Sequence, residues 1–258
     1  MTKKVLTGDN ALDALNEGTE EQVSNEFTYL KSGDEFIVKV PGINMISEFV
    51  YGSFGKKIYS FIAENPSDKS PKGFPTDNLT PFDKAWKYYK DQSDDWQDEM
   101  SQEANHFRAT RKFTIGFYDL DSGEPIMVEF TRNQANAVVE TIKKYEQRLD
   151  QFAFELKKSG KGTSTTVSLS LIPILDDLTD KQRENFERLP NDFDASNFEG
   201  LYYVMSDEEQ IETLQRVGFD VSKIGLSADG GESKGEDSAN PFEGVADAAD
   251  IGDDDLPF

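Results

Sequence analysis

The sequence predicts a mainly β fold with added helices, followed by an acidic tail that stays disordered. Three observations carry that prediction. Between Glu35 and Ile172, short runs rich in Val, Ile, Phe, Tyr and Thr are punctuated by Gly, Pro, Asn and Asp. One strongly periodic helical segment after Thr131 interrupts those runs, and two capped helical segments follow them. From Ser227 to Phe258 the text is dominated by Gly, Ser, Asp, Glu and Ala, with too little apolar surface to offset the entropy of ordering.

Residues 1–30 carry only scattered apolar points at Leu12, Leu15 and Val23 and read as an N-terminal arm. In the run from Glu35 to Val40, Phe36, Val38 and Val40 alternate with Glu35, Ile37 and Lys39, and Gly42 breaks the strand. The aromatic and β-branched text from Phe49 to Ile62 predicts further strands around Gly55, Lys56 and Lys57. Asn65 to Thr80, with Pro66, Pro71 and Pro75, reads as a surface loop. Thr80 then serves as N-cap, Pro81 as first helical residue and Asp83 as an acidic capping-box mimic. That helix is expected to continue through Trp96 and Met100.

Lys112 to Leu120 and Ile126 to Phe130 form a hairpin about the turn text Asp121, Ser122, Gly123, Glu124 and Pro125. Thr131 caps a helix whose Ala135, Val138, Val139, Ile142 and Tyr145 recur at spacings of three and four. Phe152 to Lys158 and Thr166 to Leu171 make a second hairpin about Ser159, Gly160, Lys161 and Gly162. Helices follow at Thr179 to Leu189 and Ser206 to Val217. Strands interrupted by one helix in this way suit an OB-like Greek-key barrel core, here spanning 31–226, with 227–258 as the disordered acidic tail.

The chain has 258 residues, a hydrophobic fraction of 36% and a net charge of −23. An even spread of that charge repels a polyanion, but the spread is uneven. The tail from Ser227 holds ten acidic residues and one basic, whereas 108–161 holds ten bases against eight acids. A nucleic-acid surface is therefore sought in the middle of the chain. With no cysteine and His106 as the single histidine, thiolate nucleophiles, disulfides and Cys- or His-built zinc sites are excluded. No apolar run reaches the length of a membrane span and the start has no signal-peptide core, so a soluble cytoplasmic protein is expected, with no cofactor and no membrane partner.

The chemistry-bearing pattern is bases interleaved with aromatics. Lys56 and Lys57 precede Tyr59 and Phe61; Trp86, Tyr88 and Tyr89 alternate with Lys84, Lys87 and Lys90; Arg108, Arg111 and Lys112 precede Phe113 and Phe117; Lys157, Lys158 and Lys161 surround a turn. Cations can follow phosphates while ring faces stack on unpaired bases without demanding a sequence. The candidate DNA-binding residues are Tyr51, Lys56, Lys57, Tyr59, Trp86, Tyr89, Arg108, Arg111, Lys112, Lys157, Lys158 and Lys161. Strand phenylalanines such as Phe61 and Phe113 read as core. Gly160 and Gly162 lack the GKS or GKT context of a phosphate loop, and the acid pairs Asp94 with Asp95 and Asp119 with Asp121 read as turn and helix-surface positions.

The chain ends Asp253, Asp254, Asp255, Leu256, Pro257, Phe258. An apolar tip with a free carboxylate behind an acidic run is equipped to fill a hydrophobic pocket with a basic rim. This ending, with its Gly- and Asp-rich approach, resembles the C-terminal tip of bacterial single-stranded DNA-binding proteins. Arg111 to Phe113, Tyr118 to Pro125 and Lys157 to Thr163 look like the core of bacteriophage single-stranded DNA-binding proteins, including the helix-destabilising protein of T-even phages. The T-even relatives carry a zinc site that this cysteine-free chain lacks. The resemblance implies a non-enzymatic protein that coats single-stranded DNA in a bacterial host cell and recruits replication and repair proteins through Asp253 to Phe258. The rival expectation is a protein-interaction adaptor with the same tip and no DNA surface, favoured by the −14 that remains on residues 1–226 once the tail is set aside.

Overall fold

The computed structural model describes residues 26–93, 95 and 97–227. The N-terminal arm to residue 25, Asp94, Trp96, and the tail from Ala228 with its tip lie outside the described residues. Among the described residues, no helix is long and apolar enough to cross a membrane.

The fold is mainly β with helices added, as the alternation of residues predicts. Strand β6 (Thr110–Asp119) is its axis. It forms a hairpin with β7 (Pro125–Phe130), from Phe113↔Phe130 to Tyr118↔Pro125. The turn is held by Asp119, whose carboxylate accepts from the Asp121 and Ser122 amides at 3.2 and 2.9 Å. The other edge of β6 is shared end to end by β1 (Glu35–Lys39), at Val38↔Asp119, and β2 (Met45–Ser53), from Met45↔Ile115 to Val50↔Thr110. Pro41 and Gly42, the latter at φ 120°, break what is otherwise one strand.

That break decides the architecture. β1 turns its far edge to β8 (Ala153–Ser159), which forms a hairpin with β9 (Thr166–Ile172). β2 turns its far edge to β3 (Ile58–Ala63), which takes the short parallel strand β10 (Val204–Met205). The result is one open eight-stranded sheet, ordered β10-β3-β2-β6-β1-β8-β9 with β7 beside β6, and not the closed OB-like barrel that strands interrupted by one helix predict. The sheet stays open because the two halves of the split strand recruit different partners, and the end strands these lead to, β9 and β10, do not pair with each other.

Helix α1 (Pro81–Lys90) starts as the sequence requires: Thr80 Oγ1 accepts from the Asp83 amide at 3.0 Å, with Pro81 in the first turn. It ends at Lys90 instead of running on, and a separate helix α2 (Glu99–Asn105) follows. Local side-chain bonds explain the break: Ser93 Oγ accepts from the Asp95 amide and Asp95 Oδ1 from the Gln97 amide, so the backbone has partners outside a helix. Helix α3 (Arg132–Tyr145) carries the capping box of Thr131 and Gln134. Its Ala135, Val138 and Ile142 pack with Val38, Ile115, Phe117, Phe154 and Leu156 on one face of the sheet.

The opposite face is covered by α4 (Asp180–Arg188) and the segment after it, through Phe186, Leu189, Phe193 and Leu201. Gly116 is required there, since a Cβ at that position lies 2.4 Å from the Phe193 ring. A third cluster joins Tyr51, Phe61, Phe82, Phe107 and Phe219 with Ile211 and Leu214 of α5 (Asp207–Arg216). Core packing begins before residue 31: the Thr28 amide donates to Met127 O at 2.8 Å and Leu30 is buried.

Candidate nucleic-acid interface

Antiparallel register places paired residues on one face, and the β2–β6 pairing therefore sets Ser47 beside Phe113 and Phe49 beside Arg111. Arg111 Nε donates to Ser47 Oγ at 2.8 Å. Its guanidinium lies 5.5 Å from the Phe49 centroid and 5.7 Å from that of Phe113. This cation is oriented by packing and one neutral hydrogen bond, which leaves its outer edge for an anion. Arg132, the first residue of α3, is exposed at the same cleft.

A small arm closes the other side. Strands β4 (Asp68–Lys69) and β5 (Pro75–Asp77) pair across a turn in which Gly73 has φ +83° and approaches Phe49 closely; a Cβ there lies 3.3 Å from Phe49 Cε1. The cleft between arm and sheet has a volume of about 390 Å³ and is lined by Phe49, Lys69, Ser70, Pro71, Gly73, Arg111 and Arg132. Among the described residues, no carboxylate lines it. Beyond the arm's tip, Phe74 stacks on Trp86 at 5.9 Å and 24°, and the Arg108 guanidinium sits 5.0 Å over Phe74.

Lys69 belongs to the floor. Its ammonium donates to Asp83 at 2.9 and 3.1 Å and lies 5.6 Å over both Phe49 and Tyr51. Ser67 Oγ also donates to Asp83. Burial holds the Lys69 pKa below its ordinary value, the Asp83 carboxylate opposes that, and the Arg108 charge adds to it. Arg111 and Arg132 have no ion-pair partner among the described residues, so the positive charge facing the cleft is theirs.

The structure brings together only part of the sequence-predicted set. Arg108, Arg111 and half-buried Trp86 lie at the cleft or its arm. Tyr51 is 2% exposed, stacked on Phe61 at 5.1 Å, with its hydroxyl 3.1 Å from Thr80 Oγ1; its ring serves the core and offers no face to a base. Tyr89 stacks on Phe107 at 5.7 Å, its ring turned to the third cluster. Lys112 points to the opposite face from Arg111, where it pairs with Glu129 at 3.5 Å, because side chains alternate along a strand. Lys56 pairs with Glu103, while Lys57 is exposed at φ 55°. Tyr59 is exposed, beside a groove lined by Glu209, Glu212 and Arg216.

Lys157 pairs with Glu35 at 2.8 Å, and that carboxylate raises its pKa. Lys158 and Lys161 belong to the β8–β9 hairpin, whose tip lies by register at the opposite end of β6 from Arg111, up to roughly 40 Å away at about 3.3 Å per residue. The tip residues Asp253, Asp254, Asp255, Leu256, Pro257 and Phe258 lie outside the described residues. Among the described residues, no group of three or more His, Asp or Glu side chains is placed to hold a metal ion.

Phe49, Phe74, Lys69 and Arg132 were not singled out by the base-and-aromatic pattern. Phe49 and Arg132 stand far from each other in sequence, and Lys69 and Phe74 sit in a Pro-rich stretch that reads only as loop. The one available signal was the pairing of an aromatic with a base inside that loop. Comparison with family models, with curated proteins and with solved structures finds no match to this chain.

Proposed function

We propose that the protein binds single-stranded DNA without sequence preference, by a non-enzymatic mechanism, and that its acidic C-terminal tip recruits replication and repair partners. One observation carries the reading: in a chain of net charge −23, the cleft between β2, β6 and the arm has no carboxylate among its described lining residues and presents two arginines outside any described ion pair beside aromatic rings. Arg111 and Arg132 follow the phosphates, and unpaired bases meet the exposed aromatic surface beside them, Phe49 in the cleft and the 39% exposed Phe74 at the arm, with roughly 1–3 kcal/mol for each base that stacks. An OB-like relationship is part of the same proposal, supported by two antiparallel hairpins flanking one helix in the chain order.

A second reading, the protein-interaction adaptor, is favoured by the lysines that the fold ties into ion pairs, namely Lys56, Lys112 and Lys157. Titration with oligo-dT separates the two. Quenching of tryptophan fluorescence, steep weakening with salt and weak duplex binding are expected. Arg111→Glu with Arg132→Glu is expected to weaken binding at least tenfold at low salt and to lower the salt slope by about 1.4, at about 0.7 per phosphate contact on a single strand. Wild-type protein that binds no oligo-dT at low salt, or binds duplex equally, overturns the proposal.

A further inference from the structure

The turn joining β2 to β3 presents Phe54 with a relative exposure of 101%, the most exposed large apolar side chain among the described residues. Single exposed apolar residues are common on surfaces, but this one has an unusual mount. Ser53 Oγ lies 2.8 Å from His106 Nδ1, at the end of α2. Lys56 pairs with Glu103 of the same helix, and its amide donates to Ser53 Oγ at 3.4 Å. The Lys57 amide donates to Phe54 O at 3.1 Å. Gly55 packs against the His106 ring, where a Cβ would lie 3.2 Å from Cε1. The ring is thus held out by a turn clamped on both sides to one helix, so inserting it into a partner costs little further ordering.

Its surroundings favour a polyanion. Glu103, the carboxylate that reaches the turn, is neutralised by Lys56, and exposed Lys57 stands three residues from the ring. Phe54 follows directly on the strand that carries Phe49, five residues farther along the chain, at most about 16 Å at roughly 3.3 Å per residue. That is the length of about five stacked nucleotides at ~3.4 Å each. A single strand held in the cleft therefore reaches the turn within a few nucleotides.

We propose that Phe54 is a strand-separating wedge, its ring entering between the last base pairs of a duplex that continues from the single strand in the cleft. The proposal rests on the DNA-binding reading of that cleft. Apolar side chains inserted at a base step unstack it, and a terminal pair is the easiest to open. Lys57 meets the phosphate of the displaced strand.

The test uses the full-length protein and a fluorophore–quencher DNA hairpin carrying a single-stranded dT tail, alongside oligo-dT alone and vesicles of anionic phospholipid. Phe54→Ala is expected to slow hairpin opening at least tenfold, to change oligo-dT affinity less than twofold and to leave Tm unchanged; Phe54→Trp is expected to keep opening. The wedge is overturned if Phe54→Ala opens the hairpin like wild type, if it loses oligo-dT affinity in the same proportion, or if its one defect is in vesicle binding. Failure of wild-type protein to bind oligo-dT instead overturns the reading of the cleft, and the two failures are distinct.

Discussion

Lys69 and Asp83 form an ion pair of 2.9 Å with side chains 8% and 1% exposed, joining the β4–β5 arm to the first turn of α1. The arm carries Gly73 against Phe49 and Phe74 against Trp86, so the shape of the cleft hangs on this pair. Removing one partner of a buried pair leaves the other charge uncompensated. Asp83→Ala is expected to lower stability by about 3–5 kcal/mol in urea denaturation and to weaken oligo-dT binding as the arm loosens. Lys69→Met with Asp83→Leu is expected to regain most of that stability. An Asp83→Ala protein as stable as wild type refutes the anchor.

Gly116 is expected to tolerate no side chain. Its backbone is ordinary extended strand, and the obstacle is the Phe193 ring 2.4 Å from the missing Cβ. Gly116→Ala is expected to lower stability by about 1–3 kcal/mol, since overpacking a filled interior forces neighbours off their preferred positions. Combining it with Phe193→Leu gives a measurable coupling of opposite sign in a double-mutant cycle.

Stability is expected to fall as pH rises above about 10, the unfolded value for tyrosine. Burial, and then the Asp83 carboxylate, raises the Tyr51 pKa; burial, and then Glu129, raises that of Tyr202. Below pH 10 both states hold these protons and the full stability is present. Above it the unfolded chain releases protons that the folded chain keeps, so each tyrosine removes up to about 1.4 kcal/mol per pH unit. Lys39 and Lys69, whose pKa values burial lowers, push the other way until about pH 10.5 and then stop. Thermal melts from pH 9 to 11 check this, and Tyr51→Phe with Tyr202→Phe is expected to flatten the decline.

On the proposed reading, the tail's charge and its docking tip are separable by truncation. Truncation at Ala228 removes nine net negative charges and is expected to tighten oligo-dT binding at low salt, because a tethered polyanion competes for the cleft at high effective concentration. Deleting Leu256, Pro257 and Phe258 alone is expected to leave DNA affinity nearly unchanged and to abolish pull-down of replication or repair proteins. Partners retained without Phe258 refute the tip as the docking element.

Much of the local structure was legible. Thr80 with Pro81 marks the start of α1, Thr131 with Gln134 that of α3, and the Asp119 to Glu124 turn announces the β6–β7 hairpin. These signals lie within a few residues of what they control, through caps, turns and side-chain alternation. The end of α1 is not legible in the same way, because Ser93 and Asp95 satisfy the backbone locally, which a count of helix-favouring residues does not register.

The candidate site was legible only in part. Arg111 and Lys112 look like one basic cluster in the sequence, but a strand sends them to opposite faces, one to Phe49 and the other to Glu129. Tyr51 looks like a ring for a wet surface, but the register Tyr51↔Phe61 and the approach of Phe82 enclose it.

By itself the amino-acid order determined the longer strands, the starts of α1, α3, α4 and α5, the absence of cysteine chemistry, and the concentration of negative charge at the C-terminal end. Only the tertiary structure decided that the sheet stays open, that Lys56, Lys112 and Lys157 meet carboxylates, and that Arg132 and the arm join Arg111 in one cleft. The reason is the range of the forces: caps and alternation act between near neighbours in the chain, whereas strand register and ion pairing depend on partners brought together only by the completed core.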